Sequence, residues 1–141
     1  MTKTRVSRRE QTPRLLEYQL PDGWRVLVGR TDADNEALSL RIASPKDWWF
    51  HVRGMPGSHV VLLARTGTEP TRDVLRRAAS IAAYHSKARE GGLVPVSCTR
   101  VREVRKPRGS ALGTVQIRRE TVLKVRPSLE EATGATKSAP A

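Results

Sequence analysis

With 141 residues, 38% of them hydrophobic, the chain has room for one domain around a single sizeable core. Its one cysteine, Cys98, excludes an internal disulfide framework and a cysteine-rich zinc site, and makes a reducing cytoplasm the expected compartment. Lysine and arginine number 26 against 14 acids, and a net charge of +12 on so small a body favours polyanionic partners.

Residues 1–14 are polar and basic and are expected to form a flexible arm. No apolar stretch follows them, so a secretory signal is not expected, and no run approaches the roughly 18 apolar residues that span a bilayer. The folded body is expected over 15–126. Leu16, Tyr18 and Leu20 alternate with polar residues, as do Trp24, Val26 and Val28, and Pro21-Asp22-Gly23 between them predicts a hairpin. Asp32 or Asp34 can cap a short helix through Ala43, with Leu38 and Ile42 on one face. Residues 47–53 and 58–64 predict a second strand pair, the latter nearly all apolar and therefore central. Thr71 can cap a long helix over 72–89 whose alanine-rich stripe lies close on a sheet, with Gly91-Gly92 as its stop. Val94–Val104 and Leu112–Val125 predict strands on either side of a basic loop, Arg105-Lys106-Pro107-Arg108-Gly109-Ser110. The small, polar residues 127–141 are expected to be disordered. The expected fold is α+β: a mixed or antiparallel sheet with one long and one short helix in a single domain.

Cations cluster near the C-terminal end of the body. From Arg100 to Arg126, nine basic residues stand against two acids, Glu103 and Glu120. Such clustering on a folded segment is the electrostatic footprint of a nucleic-acid binder; solubility alone, or a general arginine richness, is the bland alternative.

Chemistry concentrates at Asp47-Trp48-Trp49-Phe50-His51 and Pro56-Gly57-Ser58-His59. On a strand, Asp47, Trp49, His51 and Arg53 share one face, while Trp48, Phe50 and Val52 share the other and predict core. The first set suits RNA: an aromatic can stack a base, arginine can pair with phosphate, and imidazole or carboxylate can bond sugar and base edges. An Asp–His pair buried with its hydrogen bonds satisfied is the alternative. Gly57 predicts a sharp turn, whose amides could form an anion-binding nest. Ser86, Lys87 and Arg89 at the helix end, and Arg105, Lys106 and Arg108 in the loop shaped by Gly109, are further candidates for phosphate contact, against the plainer reading of solvated surface. Adjacent Ser58 and His59 point to opposite strand faces without a nucleophile elbow, and the spacing of His51, His59 and Asp47 does not single out a metal. No catalytic residue, metal or cofactor is expected.

The order Gly23, Gly29-Arg30, Asn35, Leu38, then Asp47-x-Trp49-x-His51, Pro56-Gly-Ser-His-Val60, the alanine-rich helix ending Ser86-Lys-Ala-Arg89, and Val104-x-Lys-Pro-x-Gly109 with Gly113-x-Val115, resembles the NFACT-R domain. That domain is the RNA-binding part of ribosome quality-control factors of the RqcH, NEMF and Tae type. The resemblance places Asp47, Trp49, His51, Gly57, Ser58, His59, Ser86, Lys87, Arg89, Lys106 and Gly109 at motif positions. It implies a stand-alone, non-catalytic module that engages rRNA or tRNA, linked to the large ribosomal subunit. Unaided, such a module should not run the whole tailing cycle. An RNA-processing enzyme using Asp47, His51 and His59, or a basic protein-interaction adaptor, is the alternative. The doubled Trp48-Trp49 and the arginine enrichment are particular to this chain.

Overall fold

A computed structural model describes residues 14–130 and 132–138, so the expected basic arm lies, apart from Arg14, outside the described residues. Strands β1 (Leu15–Gln19) and β2 (Arg25–Val28) form the expected hairpin, pairing Leu16 with Val28 and Gln19 with Arg25. A 3-10 turn at Pro21–Gly23 closes it, with Asp22 and Gly23 at φ 70° and 83°. Glycine takes that conformation without the Cβ clash that opposes it in other residues, and aspartate is among the few that tolerate it.

Helix α1 (Asp32–Ala37) is capped by Thr31 rather than by Asp32 or Asp34: the Thr31 hydroxyl accepts the Asp34 amide at 3.0 Å. A π-helical turn, Leu38–Ile42, extends the helix and buries Leu38 and Ser39. Strands β3 (Trp48–Val52) and β4 (Val60–Leu62) pair antiparallel, as expected. Helix α2 spans Arg72–Tyr84 under a Thr71 cap. It is followed by β5 (Val94–Arg100), a 3-10 turn (Val101–Glu103), β6 (Val104–Arg105), β7 (Gln116–Ile117), β8 (Thr121–Val125) and β9 (Thr133–Ser138).

The main sheet runs β8-β5-β3-β4-β2-β1-β9, antiparallel at every pairing, and β6 and β7 form a small second sheet. This is the expected α+β architecture. Helix α2 covers one face, where Ala78, Ala79, Ala82 and Ala83 let its backbone approach Val26, Phe50, Val60 and Leu62. On the other face, Leu15, Leu27, Trp49 and Val61 pack with Leu38 of the π turn and with Val101 and Val104. Strands β3 and β4 are thus buried from both sides, which is why 60–64 reads as a continuous apolar run.

Three expectations are corrected. Helix α2 ends at Tyr84, not Arg89, because the next residues turn to pair with the β3–β4 connection: Ser86 bridges Gly57, and Ser58 N–H donates to His85 O at 3.0 Å. The two long C-terminal strands are broken: the first by the 3-10 turn at 101–103, while the second begins only after the turn at Leu112–Gly113 and is split into β7 and β8 by a bend at Arg118–Arg119. Within the tail expected to be disordered, Thr133–Ser138 pairs with β1. An open sheet edge offers backbone donors and acceptors to any extended segment, whatever its side chains, so composition gave no warning.

Candidate nucleic-acid interface

Most of the Asp-x-Trp-x-His motif points inward. Asp47 is 5% exposed; its Oδ1 accepts the Ala64 amide at 2.7 Å and its Oδ2 the Ser44 amide at 2.9 Å. Trp49 is 1% exposed and donates Nε1–H to Ser39 Oγ at 2.8 Å. The Ser39 hydroxyl meets His59 Nδ1 at 2.7 Å, and the His59 amide donates to Asn35 Oδ1 at 3.0 Å. This network fastens α1 and its π turn to the sheet. The expected RNA-facing row is therefore corrected: Asp47, Trp49 and His59 are interior, His51 is half-buried, and only Arg53 is exposed. Alternation assigned that face to solvent, but α1 and the β6–β7 segment roof it.

The burial also bears on acid–base chemistry. Burial, helped by neighbouring His51, pushes the His59 pKa down to about 4. Burial lowers His51 too, against hydrogen bonding to the Gly57 and Val52 backbone. With both Asp47 oxygens engaged by backbone amides, no Asp47–histidine hydrogen bond forms among the described residues. A stability prediction follows from the sign of the His59 shift. The unfolded imidazole binds protons more readily, so stability is complete above about pH 6.5 and falls as pH drops toward 4. The slope is at most about 1.4 kcal/mol per pH unit for this one group. Denaturant titrations between pH 7 and 4 should show this decline, and His59→Asn, which keeps an acceptor for Ser39, should make it shallower while leaving the part contributed by His51 and His85.

The remaining motif residues meet at one place. The Gly57–Ser86 bridge brings Pro56-Gly57-Ser58 against His85-Ser86-Lys87. Ser86 Oγ donates to Ala83 O at 2.7 Å and accepts the Ala88 amide at 3.0 Å, turning the chain just past α2. His85 shares 2.8 Å with the Tyr18 hydroxyl, and burial, with Arg89 nearby, pushes its pKa down to about 4. Arg89 donates Nε–H to Tyr84 O at 2.8 Å and lies over the Tyr84 ring at 4.2 Å. An open cleft of about 340 Å³ results, with Arg30, Lys87 and Arg89 on its rim and Asp32 as its acid. Arg30 and Lys87 are exposed and have no ion pair among the described residues. The turn itself is not an open nest: the Ser58 amide is bonded to His85 O and the His59 amide to Asn35. Cationic side chains and hydroxyls are what this cleft offers an anion. Arg30 escaped sequence reading as a site residue because its partners are distant in the chain; only its place after Gly29 in the motif hinted at it.

The basic loop divides by role. Lys106 Nζ donates to Ser110 O, Ser110 Oγ and Ala111 O at 3.2, 3.0 and 2.7 Å, and pairs with Glu36 Oε1 at 3.0 Å. The Gly113 amide donates to the same Glu36 oxygen at 2.8 Å, and with Lys106 it holds that carboxyl below the usual range. Lys106 is a loop anchor, which corrects its expected place among free phosphate contacts. Arg105 bonds Gln116 Oε1 at 3.2–3.3 Å, Arg108 is exposed, and Gly109 supplies φ 76°. Lys106→Met should lower stability by about 1–3 kcal/mol and loosen the 106–115 loop, visible as faster amide exchange there. Arg108→Ala should leave both unchanged.

Among the described residues no three His, Cys, Asp or Glu side chains gather as a metal site would require, and no helix is long and apolar enough to cross a membrane. The family described as the NFACT protein RNA-binding domain matches residues 15–119. A relative from Bacillus subtilis (strain 168), Rqc2 homolog RqcH, is 39% identical over 113 residues, covering 80% of this chain and 19% of that protein. The RqcH of Streptococcus suis is 34% identical over 127 residues, covering 89% and 22%. A solved structure of the C-terminal part of the fibronectin/fibrinogen-binding protein from Streptococcus suis has a TM-score of 0.76 at 35% identity, over 83% of this chain and 47% of that one. The chain spans about a fifth of the length of these RqcH relatives. The matched residues include both the buried Asp47–Trp49–His59 framework and the basic cleft it supports, and on that match the chain belongs to the NFACT protein RNA-binding domain family.

Proposed function

We propose that this domain binds RNA without acting on it chemically, and that it grips the phosphate backbone at the cleft between Pro56-Gly57-Ser58 and His85–Arg89. The observation that carries this reading is the convergence of Arg30, Lys87 and Arg89, from two distant segments, around the half-buried Gly57–Ser86 junction. Arg89 is pre-set by Tyr84, which reduces the side-chain entropy lost on binding. Arg30 and Lys87 reach solvent with no ion pair among the described residues. Ser58 and Ser86 also line the cleft; exposed Arg108 adds positive charge elsewhere on the surface, while Arg53 is paired with Glu120 at 3.7 Å. Relatives named for ribosome quality control make rRNA or tRNA on the large ribosomal subunit the favoured target, with the cytoplasm as the compartment.

Release of counterions from neutralised phosphates makes such binding salt-dependent, with about 0.7–0.9 of a log–log slope unit for each phosphate contacted. Titrating labelled tRNA and rRNA hairpins at several salt concentrations should give a slope of roughly −3.5 to −4.5 for about five contacts. Arg30→Ala with Lys87→Ala should reduce its steepness by about 1.5–2. No binding at low salt, or an unchanged slope in the double variant, defeats the assignment to this cleft.

A further inference from the structure

A second cleft, of about 480 Å³, opens at the other end of β3 and β4, where β3 begins and β4 ends. Lys46, Arg65, Arg100 and Arg102 line it, together with Trp48. Its acids are Glu69, paired with Arg100 at 2.9 Å, and Asp47, whose oxygens are engaged by two backbone amides. The Arg100 guanidinium lies over the Trp48 ring at 4.0 Å. It is held there by Lys46 O and Glu69 Oε1, each at 2.9 Å, while Lys46 itself is exposed.

Packing alone does not explain Trp48. Its Nε1–H is shut away from solvent and has no hydrogen-bond partner among the described residues. A buried donor without an acceptor costs more than a surface cation–π contact returns. A leucine would fill the same half-buried position on β3 without that cost. What the indole adds is a broad face with a guanidinium held above it, and a guanidinium plane is itself a surface on which a nucleobase stacks.

We propose that the Trp48–Arg100 pair is a stacking platform for one unpaired nucleotide of the bound RNA, with Lys46 and Arg102 placed for its flanking phosphates. The proposal rests on the RNA-binding reading and extends it. The platform and the Arg30–Lys87 cleft lie at opposite ends of five-residue β3, roughly 15 Å apart. One RNA can therefore engage the domain at two points, a duplex backbone at one end and an unpaired base at the other.

The test compares a short oligoadenylate with a blunt RNA duplex. Trp49 is 1% exposed, but Trp24 lies under Arg65 of the same cleft at 4.8 Å, so quenching of tryptophan fluorescence by oligoadenylate is assigned to Trp48 by its loss in Trp48→Leu. Quenching is expected in the natural protein. Trp48→Leu should weaken oligoadenylate binding about 5- to 150-fold, the range for loss of one stacked base, and leave duplex binding nearly unchanged. Absence of quenching, or equal oligoadenylate affinity in the folded variant, overturns the platform. Equal quenching by polyglutamate at matched salt also overturns it, in favour of an acidic protein partner. If the natural protein keeps salt-dependent duplex binding while the Trp48 results fail, only this inference falls. If it binds neither RNA, the proposed function falls with it.

Discussion

Gly57→Val is expected to leave little folded protein at physiological temperature. A Cβ on residue 57 would stand 2.9 Å from Ser86 Cβ and 3.0 Å from Val52 Cγ1, and valine adds two methyl groups beyond it. Val52 is fully buried and Ser86 is tied at both ends by its hydroxyl, so neither can yield without moving β3 or the turn after α2. Overpacking of this kind costs typically 1–3 kcal/mol and occasionally more, and loss of the Gly57–Ser86 pairing adds to it. The requirement is for space. Gly57 is absent from the positive-φ residues, whereas Gly54, at φ 78°, has nothing within 4 Å of its missing Cβ. Gly54→Ala should accordingly cost only about 1–2 kcal/mol, through backbone conformation, while Gly57→Ala already perturbs the Ser86 contact. Thermal melts of the three variants separate the two causes. A normal melt for Gly57→Val would mean that the two segments do not pack as described.

That contrast shows what was legible in the sequence. The hairpin at Pro21–Gly23, the paired strands β3 and β4, and the Thr71 cap of α2 all have local causes: turn chemistry, apolar periodicity and a capping hydroxyl. Contacts between distant residues did not declare themselves. Gly29 stands out in sequence only as a motif residue; in the fold, a Cβ there would overlap Asn35 Oδ1, the acceptor of the His59 amide. Tyr18 and His85, 67 residues apart, are joined by a hydrogen bond that no periodicity announces. The end of α2 follows the same logic. Lys87 and Arg89 read as a charged last turn, yet the helix yields to pairing with Gly57, and that departure builds the cleft. The Asp47, Trp49 and His59 motif stands out in the sequence, but alternation gives it the wrong surroundings. A roof over the second sheet face is a property of the whole fold, not of a strand.

The second large effect is expected at Trp49, and it separates framework from interface. Trp49→Ala should cost about 3–5 kcal/mol, as for other buried large-to-small changes, because the indole is 1% exposed in the cluster with Leu27, Leu38 and Val61. Trp49→Phe is the sharper probe. It retains most of the apolar ring but removes the Nε1–H donor to Ser39, leaving that hydroxyl and His59 Nδ1 to each other in a buried site. A loss of about 1–3 kcal/mol is expected for the abandoned hydrogen bond, with some further loss from the smaller ring. RNA affinity, measured per folded molecule at a temperature where the variant is folded, should stay within about twofold of the natural protein, since a shift of 0.4 kcal/mol already corresponds to about that factor. A base-stacking tryptophan behaves in the opposite way, with affinity falling while stability holds. That opposite result at Trp49 would return it to the interface, whereas the expected one assigns the Asp47-x-Trp49-x-His51 motif to holding α1 against the sheet, with Arg30 displayed just before that helix and Lys87 across the cleft from it.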